Sequence, residues 1–168
     1  MIEIIDNFLF EHQFQYLKNT IISSYFPWTY GPTLQDINTG IPLDLKHKEL
    51  QNQFTHLFYN FDIPITEYFK DLECFREKLK VKSLARVKAN LNPCISKIIE
   101  HGYHVDLPDC TTAVYYLNTC DGYTKFETGE IVESVENRIV IFDSNIKHTG
   151  TTTTDSTGRF VINFNYFR

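Results

Sequence analysis

Residues 83–92 read SLARVKANLN, and within this stretch the hydrophobic period changes. Leu84, Val87, Ala89 and Leu91 are apolar, whereas Arg86, Lys88, Asn90 and Asn92 are polar. Alternation of this kind marks a strand with one packed face and one polar face. Arg86 and Lys88 share the polar face, which suits either an anionic substrate or solvent, and solvent is the expectation. Three more short runs follow, TTAVYYLN (111–118), RIVIFDS (138–144) and RFVINFNYF (159–167). Turn-forming residues separate them, so the second half of the chain reads as a series of antiparallel strands.

Toward the amino terminus the signals are helical. Phe14, Leu17 and Ile21 recur at helical spacing within EHQFQYLKNTIISS, which predicts a helix over 11–23 after a short strand at Ile2–Ile5. A second helix is expected over Ile65–Leu79, with Ile65, Phe69, Leu72, Phe75 and Leu79 on one face and Pro64 near its start. Between them FPWTYGPTLQDINTGIP (26–42) carries the Pro, Gly and Asn punctuation of a loop. Helices followed by short strands imply an α+β, mainly β fold. The expected core is a double-stranded β-helix, or jelly roll, with N-terminal helices packed on one face. No repeat or linker divides the chain. One domain is expected over 1–168, with helical support in 1–80 and the jelly-roll core in 81–168.

Composition narrows the function classes. With 168 residues, 42% of them hydrophobic and 15% aromatic, the chain has material for one core. The net charge of -5 disfavours nucleic acid as a partner, because such binders usually carry a basic stripe. MIEIIDNFLF has acids where a signal peptide would carry basic residues, and no apolar run approaches the roughly 20 residues of a membrane span. A cytoplasmic protein without membrane partners is expected. Cys74, Cys94, Cys110 and Cys120 show no CxxC spacing and read as reduced thiols.

The chemistry-bearing residues lie in the strand-rich half. In HGYHVD, His104 and Asp106 are two residues apart, which on a strand places both side chains on one face. His148 follows the strong strand RIVIFDS and a turn-like Asn145, and can return a second imidazole to the same metal. Two histidines and one carboxylate leave coordination positions open for cosubstrate and oxygen, the arrangement of non-haem iron oxygenases. Arg159 opens the last strand, and its guanidinium can grip a carboxylate bidentately, as a dicarboxylate cosubstrate requires. His101 competes with His104 in sequence but has no carboxylate two positions on. It reads as an exposed loop histidine.

With these residues identified, residues 84–167 resemble the catalytic core of the prolyl 4-hydroxylase-like branch of the iron(II)/2-oxoglutarate dioxygenases. HVDLPDCTTAVYYLN (104–118) is especially similar to the oxygen-sensing prolyl hydroxylases of animals. The resemblance implies Fe(II) on His104, Asp106 and His148, with 2-oxoglutarate paired to Arg159 and hydrogen-bonded by Tyr116. Asn92, in NLNP, falls near the cosubstrate in this comparison. Val161 departs from the pattern, since many relatives have a hydroxyl-bearing residue there. Asp121-Gly122-Tyr123 departs too, standing where a glycine pair is usual. The implied reaction consumes O2 and releases succinate and CO2 while hydroxylating a substrate, with ascorbate as a supportive reductant. The implied substrate is a protein or peptide side chain such as proline. A nucleic-acid base, a small-molecule metabolite, or a non-catalytic metal-binding jelly-roll module are the alternatives.

Overall fold

The computed structural model describes residues 1–31 and 52–168. In chain order the elements are β1 (Ile2–Ile5), α1 (Glu11–Ile21), β2 (Thr29–Gly31), β3 (Gln53–Asn60), β4 (Ile63–Pro64) and a 3-10 turn (Glu67–Leu72). Then come α2 (Glu73–Lys78), β5 (Ser83–Pro93), β6 (Thr111–Tyr116), β7 (Tyr123–Phe126) and β8 (Ile131–Glu133). The chain ends with β9 (Ile139–Asp143), β10 (His148–Gly150) and β11 (Gly158–Phe167).

The described strands make two sheets. The larger has the order β1-β9-β6-β11-β5-β3-β2, with β4 added to β3, and the smaller has the order β10-β7-β8. This is the expected α+β, mainly β jelly roll. β5 and β11 form the long central ladder, in which Asn92 faces Arg159, Asn90 faces Val161, Lys88 faces Asn163 and Arg86 faces Asn165. A bulge at Ala85 lets Leu84 pair with Tyr166 and explains why Leu84 and Val87 are three residues apart.

Each face of the large sheet has its own core. On the outer face Val87, Ala89, Ala113, Tyr115, Ile139, Ile141, Ile162 and Phe164 pack with Phe14, Leu17 and Ile21 of α1 and with Leu72, Phe75 and Leu79. On the inner face Val114, Tyr116, Val140, Phe142 and Val161 pack against Phe126 and Val132 of the small sheet. That apolar wedge fills only part of the space between the sheets. The inward faces of β5 and β11 supply polar residues instead, and the site forms there.

Two expectations are corrected. The helix expected over Ile65–Leu79 is a 3-10 turn followed by the short α2, because Ile65 remains tied to the β3–β4 hairpin through a bond from its N–H to the Phe58 carbonyl (2.8 Å). The first half also contains more strand than its helical periodicity suggested. β2 occupies part of the expected loop, and residues 32–42 of that loop lie outside the described residues. β3 shows no clean alternation because Gln53 and His56 are buried among its apolar residues. His56 is kept there by contacts with the Pro27 carbonyl (2.9 Å) and Thr66 Oγ1 (3.0 Å).

Phe75 joins α2 to the sheet, with ring centroids 4.5 Å from Phe164 and 4.9 Å from Tyr115. Phe75→Ala should destabilise the fold by about 3–5 kcal/mol, the usual range for deleting a buried aromatic ring, as read from urea unfolding.

Candidate functional site

His104 lies outside the named strands and forms an antiparallel bridge to His148 at the start of β10. Each residue donates its backbone N–H to the other's carbonyl at 3.0 Å, so backbone pairing sets the two imidazoles side by side. Their ring centroids are 4.8 Å apart. Asp106, two residues beyond His104, turns its carboxylate to the same place. The ligand-type atoms of His104, Asp106 and His148 all lie within 4.8 Å of one another.

Surrounding groups orient this cluster. His104 Nδ1 contacts the Gly102 carbonyl (3.0 Å) and His148 Nδ1 contacts the Ile146 carbonyl (3.3 Å), which leaves both Nε2 atoms for a metal. Phe142 meets the His148 ring edge-on at 4.8 Å. Burial pushes His148 down to about 4, so its imidazole is neutral at pH 7, the form a metal requires. Asp106 stays ionised although burial opposes it. Arg86 foremost, then His148, His104 and Lys88, holds its carboxyl well below the usual range. The donor set of two imidazoles and one carboxylate fits a first-row divalent ion such as iron(II).

Arg86 and Lys88 correct the expectation of a solvated face. Arg86 is 3% exposed and places Nη2 3.1 Å from Asp106 Oδ1, while its Nε donates to Asn165 Oδ1 (3.1 Å). Lys88 is partly buried in the lining of the same cavity. His101 also differs from expectation, because it is 4% exposed and lines the cavity. It is not part of the three-residue donor cluster.

The other end of the cavity is built around Arg159, which is 2% exposed. Its Nε donates to Ser134 Oγ (2.7 Å) and its Nη2 to Thr124 Oγ1 (2.8 Å). No carboxylate pairs with it among the described residues. Gly150 and Gly122 leave room for this side chain. A Cβ at Gly150 would lie 3.1 Å from Arg159 Nη1, and one at Gly122 would lie 2.7 Å from Arg159 Cδ.

Tyr116 sits behind this end of the cavity. Its hydroxyl donates to Thr124 Oγ1 (2.9 Å), and its ring centroid is 5.5 Å from the Arg159 guanidinium carbon. Thr124 lines the cavity and accepts bonds from both Tyr116 and Arg159, so its own proton remains for a ligand. Asn92 lines the cavity opposite Arg159, but its amide accepts from Gln53 Nε2 (2.7 Å) and donates to the Thr151 carbonyl (3.1 Å). Thr124, Ser134, Gln53 and Asn163 escaped the sequence reading. Only Asn163 carried a signal, since it shares strand parity with Arg159.

No protein-family model and no curated protein matches the sequence. Solved structures do. A prolyl hydroxylase from Trichoplax adhaerens, in complex with a hypoxia inducible factor peptide, superposes with a TM-score of 0.69 at 16% identity, over 99% of this chain and 83% of that one. The chain has the fold of these oxygenases. A 2OG-Fe(II) oxygenase family protein from Burkholderia pseudomallei gives a TM-score of 0.67 at 10% identity, covering 99% and 84% of the two chains. A viral collagen prolyl hydroxylase from Paramecium Bursaria Chlorella virus-1, in a 2OG complex, gives 0.58 at 16% identity, covering 98% and 93%.

His148→Ala should lower manganese(II) affinity by more than about 100-fold, beyond the range usual for residues behind the ligands. His101→Ala should change it far less. Isothermal titration of both variants distinguishes a ligand from a lining residue.

Proposed function

We propose that this protein is an iron(II)- and 2-oxoglutarate-dependent dioxygenase in which His104, Asp106 and His148 hold the metal. Arg159 pairs with the distal carboxylate of 2-oxoglutarate. The observation that carries this assignment is the buried Arg159 guanidinium, without a carboxylate partner among the described residues, in the cavity that also holds the triad. A metal-binding module without turnover has no use for such a group.

The spacing supports the assignment. Asn163, whose Nδ2 reaches Asp106 Oδ2 at 3.4 Å, is four residues from Arg159 on β11, or about 13 Å along a strand. A five-carbon diacid and the arginine side chain together can span that interval. Thr124 donates its free proton to the same carboxylate as Arg159, and Tyr116 orients Thr124 from behind. Asn92 and Gln53 brace the opposite wall. Val161 leaves the middle of the cavity apolar.

When bound, the metal and 2-oxoglutarate supply oxidative decarboxylation to succinate and CO2, coupled to O2-dependent hydroxylation of a substrate. Asp106, kept ionised by Arg86, and the neutral His148 preserve the ligand set. Ascorbate would serve as a supportive reductant, and the cytoplasm as the compartment. The described residues include no helix long and apolar enough to cross a membrane.

The substrate in this proposal is a peptide side chain or a small molecule. A peptide side chain such as proline is supported by the likeness to the Trichoplax prolyl hydroxylase, which is in complex with a peptide, and to the viral collagen prolyl hydroxylase. A small metabolite is favoured by the polar cavity lining beside the triad.

Anaerobic titration of the iron(II)-loaded protein with 2-oxoglutarate should produce the weak visible charge-transfer band of a chelated 2-oxo acid, absent from Asp106→Ala. Bound iron without a band would favour the metal-binding module. Arg159→Ala should raise the 2-oxoglutarate concentration needed for succinate formation about 10- to 100-fold, the loss expected for a charged hydrogen-bonding partner. Gly122→Ala should shift it in the same direction by crowding Arg159, with the metal affinity retained.

A further inference from the structure

Arg86, Lys88 and Arg159 bring three cationic side chains to the cavity, and Asp106 brings the carboxylate. Arg86 is committed to Asp106, and Arg159 lies at the far end with Thr124 and Ser134. A metal dication with Asp106 and one carboxylate of 2-oxoglutarate is charge-balanced, and the other carboxylate balances Arg159. Lys88 is left over. It makes no hydrogen bond or ion pair with any described residue, although an unpaired ammonium in a cavity wall is costly.

Its neighbours are also unfulfilled. Asn90 and Asn163 are 6% and 8% exposed, and the Oδ1 atom of each is buried without a hydrogen-bond partner. Asn163 faces Lys88 across the β5–β11 ladder, and its own Nδ2 is directed to Asp106. Among the described residues, the metal-side wall therefore presents one free cation and two free acceptors, which is a pattern for an anion that also carries N–H or O–H donors.

We infer that Lys88, with Asn90 and Asn163, recognises a carboxylate-bearing substrate that presents N–H or O–H donors beside the metal triad. Such a substrate is either a free amino acid or an acidic side chain within a peptide. The inference rests on the oxygenase assignment and names the substrate class of the same site. A neutral peptidyl proline would leave Lys88 without a counter-charge among the described residues.

The test uses manganese(II)-loaded protein with saturating 2-oxoglutarate, which binds without turnover, and reads paramagnetic broadening of ligand protons by NMR. The probes are L-proline, L-aspartate, L-glutamate and blocked tripeptides with a central aspartate or glutamate. L-prolinamide, L-asparagine, L-glutamine and the corresponding amide tripeptides are the controls. At least one carboxylate probe should be broadened saturably and its amide counterpart much less; free acids or tripeptides responding alone identify the source. Lys88→Met should weaken that probe about 10- to 100-fold, Lys88→Arg should retain it, and both should hold 2-oxoglutarate as the parent does.

Carboxylates binding no better than their amides would overturn the inference, as would a Lys88→Met protein that binds them normally. Equal loss of 2-oxoglutarate in Lys88→Met would assign Lys88 to the cosubstrate and also overturn it. Failure of the parent to broaden 2-oxoglutarate despite bound manganese would instead remove the oxygenase assignment, and this inference with it.

Discussion

The register between β5 and β11 is the constraint on which the rest of the structure depends. It sets Asn92 against Arg159 at one end of the cavity and Lys88 against Asn163 toward the metal cluster. Because side chains alternate along a strand, a slip of one residue would exchange Arg86, Lys88, Asn90 and Asn92 for Val87, Ala89 and Leu91. The polar wall would then meet the helices, and the apolar row would meet the histidines. The apolar contacts on the outer face therefore fix which residues face the metal.

The site is held by electrostatics as well as by register. Asp106 and Arg86 are both buried, and such pairs contribute little net stability because desolvating two charges offsets their attraction. The pair does keep Asp106 ionised beside two imidazoles. Burial favours the neutral form of His148, so the cluster enters the pH range of the cell as one carboxylate and at least one neutral imidazole. Lys88 is pushed down to about 8 by burial and then by Arg86, which is the direction expected of a cation awaiting an anion.

Much of this was legible in the sequence because strand parity is simple. The i, i+2 spacing of His104 and Asp106 pointed to their convergence, although only His104 is paired, by a single bridge to His148, and Asp106 lies in a bend. Arg159 at the head of a strand gave a cation pointing one way only. Parity also grouped Arg86 with Lys88, but alternation shows which residues share a face without showing whether that face meets solvent or a second sheet. Placing it required the small sheet, whose strands of three and four residues are too short to carry a clear period. Thr124 and Ser134 lie on or next to those strands and were invisible for that reason. β3 was hidden differently, because His56 is buried and satisfied by partners from Pro27 and Thr66 that no local pattern announces.

The two faces of the large sheet are energetically linked. Each buried polar atom without a partner costs about 1–3 kcal/mol, and the inner face carries such atoms on Asn90 and Asn163. Domains are stable by only about 5–15 kcal/mol in total, so a wall of this kind persists only if stabilisation is concentrated elsewhere. It is concentrated on the outer face, where Phe14, Phe75, Tyr115 and Phe164 are almost wholly removed from solvent. β5 and β11 carry both faces at once, and their outward residues offset the cost of the inward ones. A substitution that loosens the helices against the sheet should therefore reach the cavity through the same two strands, without touching a residue that lines it.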